Sequence, residues 1–149
     1  MASITTRWAA VVVSLAASAA TGRADDPKAG APPENKLIGT WKLVAVKYDG
    51  KERKVSDRDT RIKHITPTQF VWLNYDKDGK VDMALGGPYT LTGEKYEETP
   101  EYGVGSVLTA YKGKVQSFTW KVEGDKWYHT GKLSSGLTID EVWERVEKK

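Results

Sequence analysis

From Ile38 onward the chain reads as a succession of short runs with period-two hydrophobic alternation. Each run is closed by a turn signal, and no stretch carries a sustained helical period. The first run, 38–48, ends at Asp49-Gly50, a strong hairpin dipeptide. Residues 61–65 follow, then Thr66-Pro67-Thr68, where proline cannot donate to a ladder. Residues 69–75 lead into Asp76-Lys77-Asp78-Gly79, and 80–85 are broken by Gly86-Gly87-Pro88. Runs 89–92 and 95–99 flank Gly93-Glu94, runs 115–123 and 126–133 flank Gly124-Asp125, and 137–146 close the series. Residues 102–112 are the least strand-like and read as a loop or a single helical turn. The pattern implies an all-β, antiparallel, up-and-down arrangement of about 8–10 strands, and a meander of that length hides its edges best by closing into a barrel. A two-sheet sandwich is the alternative.

The beginning of the chain has a different character. Arg7 precedes an apolar run at 8–20, and small residues lead to Ala24 before Asp25-Asp26, the pattern of a secretory signal peptide over 1–24. The run is shorter than the roughly 20 apolar residues a membrane span needs, so no stable membrane span is expected. Residues 25–36, polar and rich in Pro, Gly and Ala, read as a flexible leader, and 37–149 as the folded domain. Loss of 1–24 removes Arg7 and Arg23 and lowers the formal charge from +3 to +1. Lys and Glu are interspersed, which argues against nucleic acid as a partner. Cysteine is absent, which excludes disulfides, thiolate metal sites and a lipobox anchor. A periplasmic or secreted protein is expected.

Alternation assigns each strand one inward set. The sets are Trp41, Leu43 and Ala45; Phe70, Trp72 and Asn74; Phe118, Trp120 and Val122; Trp127, His129 and Gly131. On the last strand either Leu137, Ile139, Glu141, Trp143 and Arg145 or the intervening residues point inward, because both sets are partly apolar. Five tryptophans lie beyond residue 24. An eight-stranded barrel is just wide enough for its side chains or one small ligand, so the rings either plug the interior or line a pocket. As a pocket, its lining residues would be Trp72, Trp120, Tyr128, His129, Glu141 and Trp143.

Four segments in order, LIGTWKLVAVKYDGKE, HITPTQFVWLNYDKDGK, GDKWYHTGKL and IDEVWERV, resemble the calycin superfamily. The likeness is greatest to small exported bacterial lipocalin-like domains of unassigned function, and it spans about 37–146. It implies a lipocalin-like barrel whose narrow end is closed by the Gly-x-Trp tryptophan, Trp41, packed against a basic residue near the C-terminus, Arg145. Residues 50–60 are too few for the two-helix lid of a fatty-acid-binding protein. The Arg-x-Tyr that anchors a fatty-acid carboxylate reads Glu141-x-Trp143 here, which implies a neutral or cationic aromatic ligand instead.

Signals for chemistry are sparse. His64 and His129 are the only histidines, and they lack any metal-ligand spacing. Asp76-Lys77-Asp78-Gly79 lacks the later Glu of a calcium loop and fits a turn. No phosphate-binding glycine motif is present. Tyr102-Gly103-Val104-Gly105 is a loop able to gate a barrel mouth. Neither metal nor cofactor is expected, and the chain is read as not an enzyme. An isomerase- or hydrolase-like barrel would need Glu141 and a histidine within hydrogen-bond reach. The sequence therefore points to an exported monomer that holds a small, partly apolar or aromatic ligand. A filled barrel acting as a structural or protein-protein interaction module of the cell envelope is the alternative.

Overall fold

The computed structural model describes residues 34–56 and 59–147. The signal-peptide expectation and the leader up to residue 33 lie outside the described residues. Among the described residues the elements run β1 (Gly39–Tyr48), β2 (Lys51–Arg53), β3 (Asp59–Ile65), β4 (Gln69–Asp76), β5 (Val81–Thr92), β6 (Lys95–Glu98), β7 (Tyr102–Val104), α1 (Ser106–Tyr111), β8 (Gln116–Glu123), β9 (Lys126–Lys132) and β10 (Thr138–Arg145). Neighbouring strands pair in the order β10-β9-β8-β6-β5-β4-β3-β1, and β1 pairs back onto β10. The result is a closed, antiparallel, eight-stranded barrel with no free edge in the ring. Two short strands stand outside that ring: β2 folds back on β1, and β7 lies against β5. No helix among the described residues is long and apolar enough to cross a membrane.

Local chemistry accounts for the turns. Asp49 and Gly50 both take positive φ (49° and 75°) between paired Tyr48 and Lys51, giving a two-residue hairpin of the type whose twist matches the strands. Asp76 Oδ1 accepts the backbone N–H groups of Asp78 and Lys80, each at 2.9 Å, so the acidic tetrapeptide closes the β4–β5 hairpin.

Two expectations are corrected. Gly86-Gly87-Pro88 does not break the strand, because β5 runs unbroken through it. A Cβ on Gly86 would lie 2.2 Å from the Tyr102 ring, and one on Gly87 2.0 Å from the Thr99 carbonyl. These glycines admit the segment from Thr99 into β7 against the strand. The second correction concerns β1. Its inward set begins with Trp41 and Leu43, but a bulge between Leu43 and Ala45 shifts the register against β10. Ala45 therefore faces solvent, and Val46 and Tyr48 turn inward. On β10 the two possible faces are resolved: Ile139, Glu141 and Trp143 are buried.

The core is aromatic. Leu37, Trp41, Phe70, Tyr96, Trp127 and Trp143 are almost wholly buried. Trp127 makes edge contacts with Trp41 and with Tyr96 (both 5.6 Å between centroids) and stacks near Trp143 at 6.0 Å. Such pairs add about 0.5–1.5 kcal/mol each beyond the area they bury.

Candidate functional site

The two ends of the barrel are built differently. At the end where β1 begins and β10 finishes, Trp41 pairs across the closing ladder with Arg145. The guanidinium lies 4.1 Å from the indole centroid. It also donates to the carbonyls of Ile38 (3.0 Å) and Lys36 (2.7 Å), and Trp41 Nε1 donates to Leu37 O at 2.8 Å. Gly39 has φ 139°, and a Cβ there would sit 2.7 Å from Arg145 Nη1. The glycine of the Gly-x-Trp motif thus opens the path by which the guanidinium reaches the ring, and the rings behind it leave this end filled.

Towards the opposite end the barrel encloses a cavity of about 170 Å³. Leu85, Phe118, Ile139 and Trp143 form its walls, α1 contributes Val107 and Tyr111, and the β9–β10 turn contributes Leu133 and Leu137. Tyr111 Oη lies 3.2 Å from Ser135 Oγ, tying the helix to that turn. The helix itself is only six residues long, and its first turn lacks a side-chain cap.

Charged groups line this cavity. Lys63, only 2% exposed, points inward from β3 and lies 2.8 Å from Glu98 Oε1. Its ammonium also sits 5.0 Å from the centroids of both Trp127 and Trp143, an arrangement that stabilises a desolvated cation. The Tyr96 hydroxyl donates to the same Glu98 oxygen at 2.7 Å, and burial together with Glu98 raises the phenol well above its ordinary pKa, which keeps it a donor. Arg61 lies over Trp72 (5.1 Å), donates to Asn74 Oδ1 at 2.7 Å, and approaches Glu141 Oε1 at 3.7 Å.

Glu141 and His129 are cross-strand partners on β10 and β9. His129 Nδ1 lies 3.1 Å from Glu141 Oε2, and Trp143 Nε1 donates to that oxygen at 3.0 Å. Burial alone would raise the Glu141 carboxyl. The His129 hydrogen bond, the charge His129 carries in the acid range where the carboxyl titrates, and the positive field of Lys63 and Arg61 outweigh it and hold the group at about 2. For His129, burial and then Lys63 lower the pKa against the opposing pull of Glu141 and Glu98, so the ring is neutral at pH 7. An ionised carboxylate only accepts, so the ring proton sits on Nδ1 and Nε2 carries the lone pair. Among the described residues no hydrogen-bond partner reaches that Nε2.

Of the residues expected to line a pocket, Trp72, His129, Glu141 and Trp143 do line the cavity. Trp120 and Tyr128 do not. The Trp120 indole donates to Gly93 O at 3.1 Å, at the β5–β6 turn, away from the cavity. Tyr128 alternates with His129 and lies on the barrel's outer face, beside Val44, Asp140 and Val142. Glu141 is not a lone carboxylate awaiting a cationic ligand, because Arg61, His129 and Trp143 already meet it. His64 is separate from His129 and bonds Thr40 Oγ1 through Nδ1 at 3.0 Å. Sequence reasoning overlooked Arg61, Lys63 and Glu98. The signal for the first two was cross-strand register: Arg61, Lys63 and Ile65 stand opposite Asn74, Trp72 and Phe70, a set already placed inward.

No protein-family model matches the sequence, and no curated protein matches it. Among solved structures, the chain is similar to a lipocalin-like protein from Bacteroides uniformis (TM-score 0.54, 16% identity, covering 74% of this chain and 98% of that one). It is similar to the same degree to an uncharacterized protein from Bacteroides eggerthii (TM-score 0.54, 17% identity, 74% and 99% covered). At these identities the likeness is one of fold, and the fold is the lipocalin-like barrel.

Proposed function

We propose that this chain is an exported, monomeric binding protein whose barrel holds one small, partly apolar or aromatic molecule without chemical turnover. The observation that carries this reading is the cavity of about 170 Å³ towards one end of the barrel. It has apolar walls and polar groups fixed by their own partners, the usual composition of a small-molecule site. The volume is below the roughly 300–1,000 Å³ of pockets for drug-sized ligands. It is close to the roughly 150 Å³ of an apolar protein cavity that admits benzene. A single ring is therefore the appropriate scale.

His129 and Glu141 do converge within hydrogen-bond reach, one requirement of a catalytic barrel. Binding is nevertheless the better reading: Glu141 is held ionised and cannot serve as an acid near neutrality, and the cavity lining offers no serine, threonine or cysteine nucleophile. Export is supported by Arg7, the apolar run at 8–20 and Ala24. The small volume also favours a second reading, a filled-barrel envelope module acting through its outer surface.

Native mass spectrometry on protein exported to a periplasm and purified without detergent tests the choice. The binding reading expects a reproducible adduct of one-ring mass that is lost on denaturation. A bare protein mass at every stage of purification would favour the filled-barrel module.

A further inference from the structure

This inference rests on the binding reading and deepens it to a ligand class. The cavity's charges close on themselves. Lys63 is matched by Glu98 at 2.8 Å, and Arg61 faces Glu141 at 3.7 Å. The imidazole between them is neutral, so two cations meet two carboxylates with nothing left over. A ligand carrying net charge would have to break a pair or leave one charge uncompensated, which is expensive away from water. Hydrogen bonds also occupy one oxygen of each carboxylate. Glu98 accepts from Lys63 and Tyr96, and Glu141 accepts from His129 and Trp143. Gln116 is engaged through both amide atoms with Lys114 and Ser134.

His129 Nε2 is a buried nitrogen of a lining residue with no partner among the described residues, and outside the lining the Trp127 indole Nε1 is likewise unpartnered. The His129 ring is 1% exposed and lines the cavity. The ring is held firmly: Phe118 lies 4.0 Å from it between centroids, with Trp127 and Tyr96 further out. Its Nδ1 is tied to Glu141 on β10, and the charges of Lys63 on β3 and Glu98 on β6 act on it. A buried acceptor left open is a strong determinant of what binds, because a ligand that leaves it open forfeits the bond after removing solvent.

We infer that the cavity takes a neutral, single-ring molecule bearing one hydrogen-bond donor, phenol being the simplest, and that His129 Nε2 accepts that donor.

The test is calorimetric titration of the folded chain at pH 7.5 with phenol, toluene, benzoate and benzylammonium, ligands of similar size that differ in donor and charge. In a purely apolar cavity toluene binds more tightly than phenol, since the hydroxyl must give up water. Here phenol is expected to bind at least about fivefold more tightly than toluene, and both charged ligands more weakly than phenol. With only two histidines in the sequence, ¹⁵N spectra of the unsubstituted protein supply a second readout. Phenol should shift the His129 Nε2 resonance and toluene should leave it in place. In His129→Phe the phenol advantage should vanish. Toluene binding as tightly as phenol, a charged ligand binding more tightly than phenol, an unmoved Nε2 signal, or no binding by any of the four would each overturn the inference. A native adduct seen alongside any of those results would leave the binding reading standing, which separates the two failures.

Discussion

The filled end and the cavity end of this barrel are made from the same strands yet obey different rules. At the filled end, Trp41, Trp127 and Leu37 pack ring against ring and aliphatic group, and Arg145 reaches backbone carbonyls at its edge. Stability there comes from apolar burial capped by a cation. Along the cavity, Lys63, Glu98, His129 and Glu141 are as deeply buried as the tryptophans, and each is tolerated because another meets it. Such a network contributes little net stability compared with a well-packed apolar core, and removing one member is severe. What it provides is a rigid polar lining, which a binding site needs and a plain core does not.

The comparison breaks first at Lys63. Lys63→Met should destabilise the fold by about 3–5 kcal/mol in urea titrations, because Glu98 is left buried without its cation. Adding Glu98→Gln should recover a large part of that loss. If the single and double variants are equally unstable, the lining is held by packing rather than by pairing, and the two ends are alike after all.

Acid provides the next largest effect. The folded pKa of Glu141 lies below its ordinary 4.5, at about 2. Its stabilisation is therefore complete above about 4.5 and is lost as pH falls towards about 2, for up to about 3 kcal/mol. His129 acts in the same sense at higher pH. Its pKa is lowered from 6.5, so the unfolded chain takes up the proton more readily and stability declines as pH drops below 6.5. Chemical denaturation from pH 8 to pH 3 should show this two-stage fall, and Glu141→Gln should flatten the lower stage.

Arg145→Met examines the filled end. It removes a cation over an indole and two hydrogen bonds to carbonyls, with an expected loss of about 1–3 kcal/mol. Phenol affinity should be unchanged, because Arg145 does not line the cavity. The smallest effect is expected at Tyr128, where Tyr128→Phe on the outer face should alter stability by no more than about 0.5 kcal/mol and leave ligand titrations as they were.

How much of this was legible in the sequence follows the same division. Local signals governed the barrel. Period-two runs and turn dipeptides predicted the strands. The calycin resemblance carried by Gly39-x-Trp41 implied Arg145 as the partner at the closed end, where the guanidinium lies 4.1 Å from the indole centroid. The cavity depended on long-range pairing. Lys63 reads as a solvated lysine until β3 is set against β4, and Glu98 until it meets Lys63 from 35 residues away. Trp120 misled because alternation gives a face but not a height along the barrel, and it sits at the β5–β6 turn rather than beside the cavity. Tyr128 misled for a simpler reason: its immediate neighbours Trp127 and His129 already occupied the inward positions. Ala45 failed because a bulge leaves no mark in composition.

The most direct test of the central claim, that only one end of the barrel is a ligand chamber, is a ¹H–¹⁵N spectrum of the indole N–H groups during titration with phenol. Trp72 and Trp143 line the cavity, whereas Trp41, Trp127 and Trp120 do not. The account predicts that the Trp143 and Trp72 indole signals move and saturate while the other three stay in place. Movement of Trp41 with Trp143 and Trp72 unmoved, or no movement at any of the five, would contradict it.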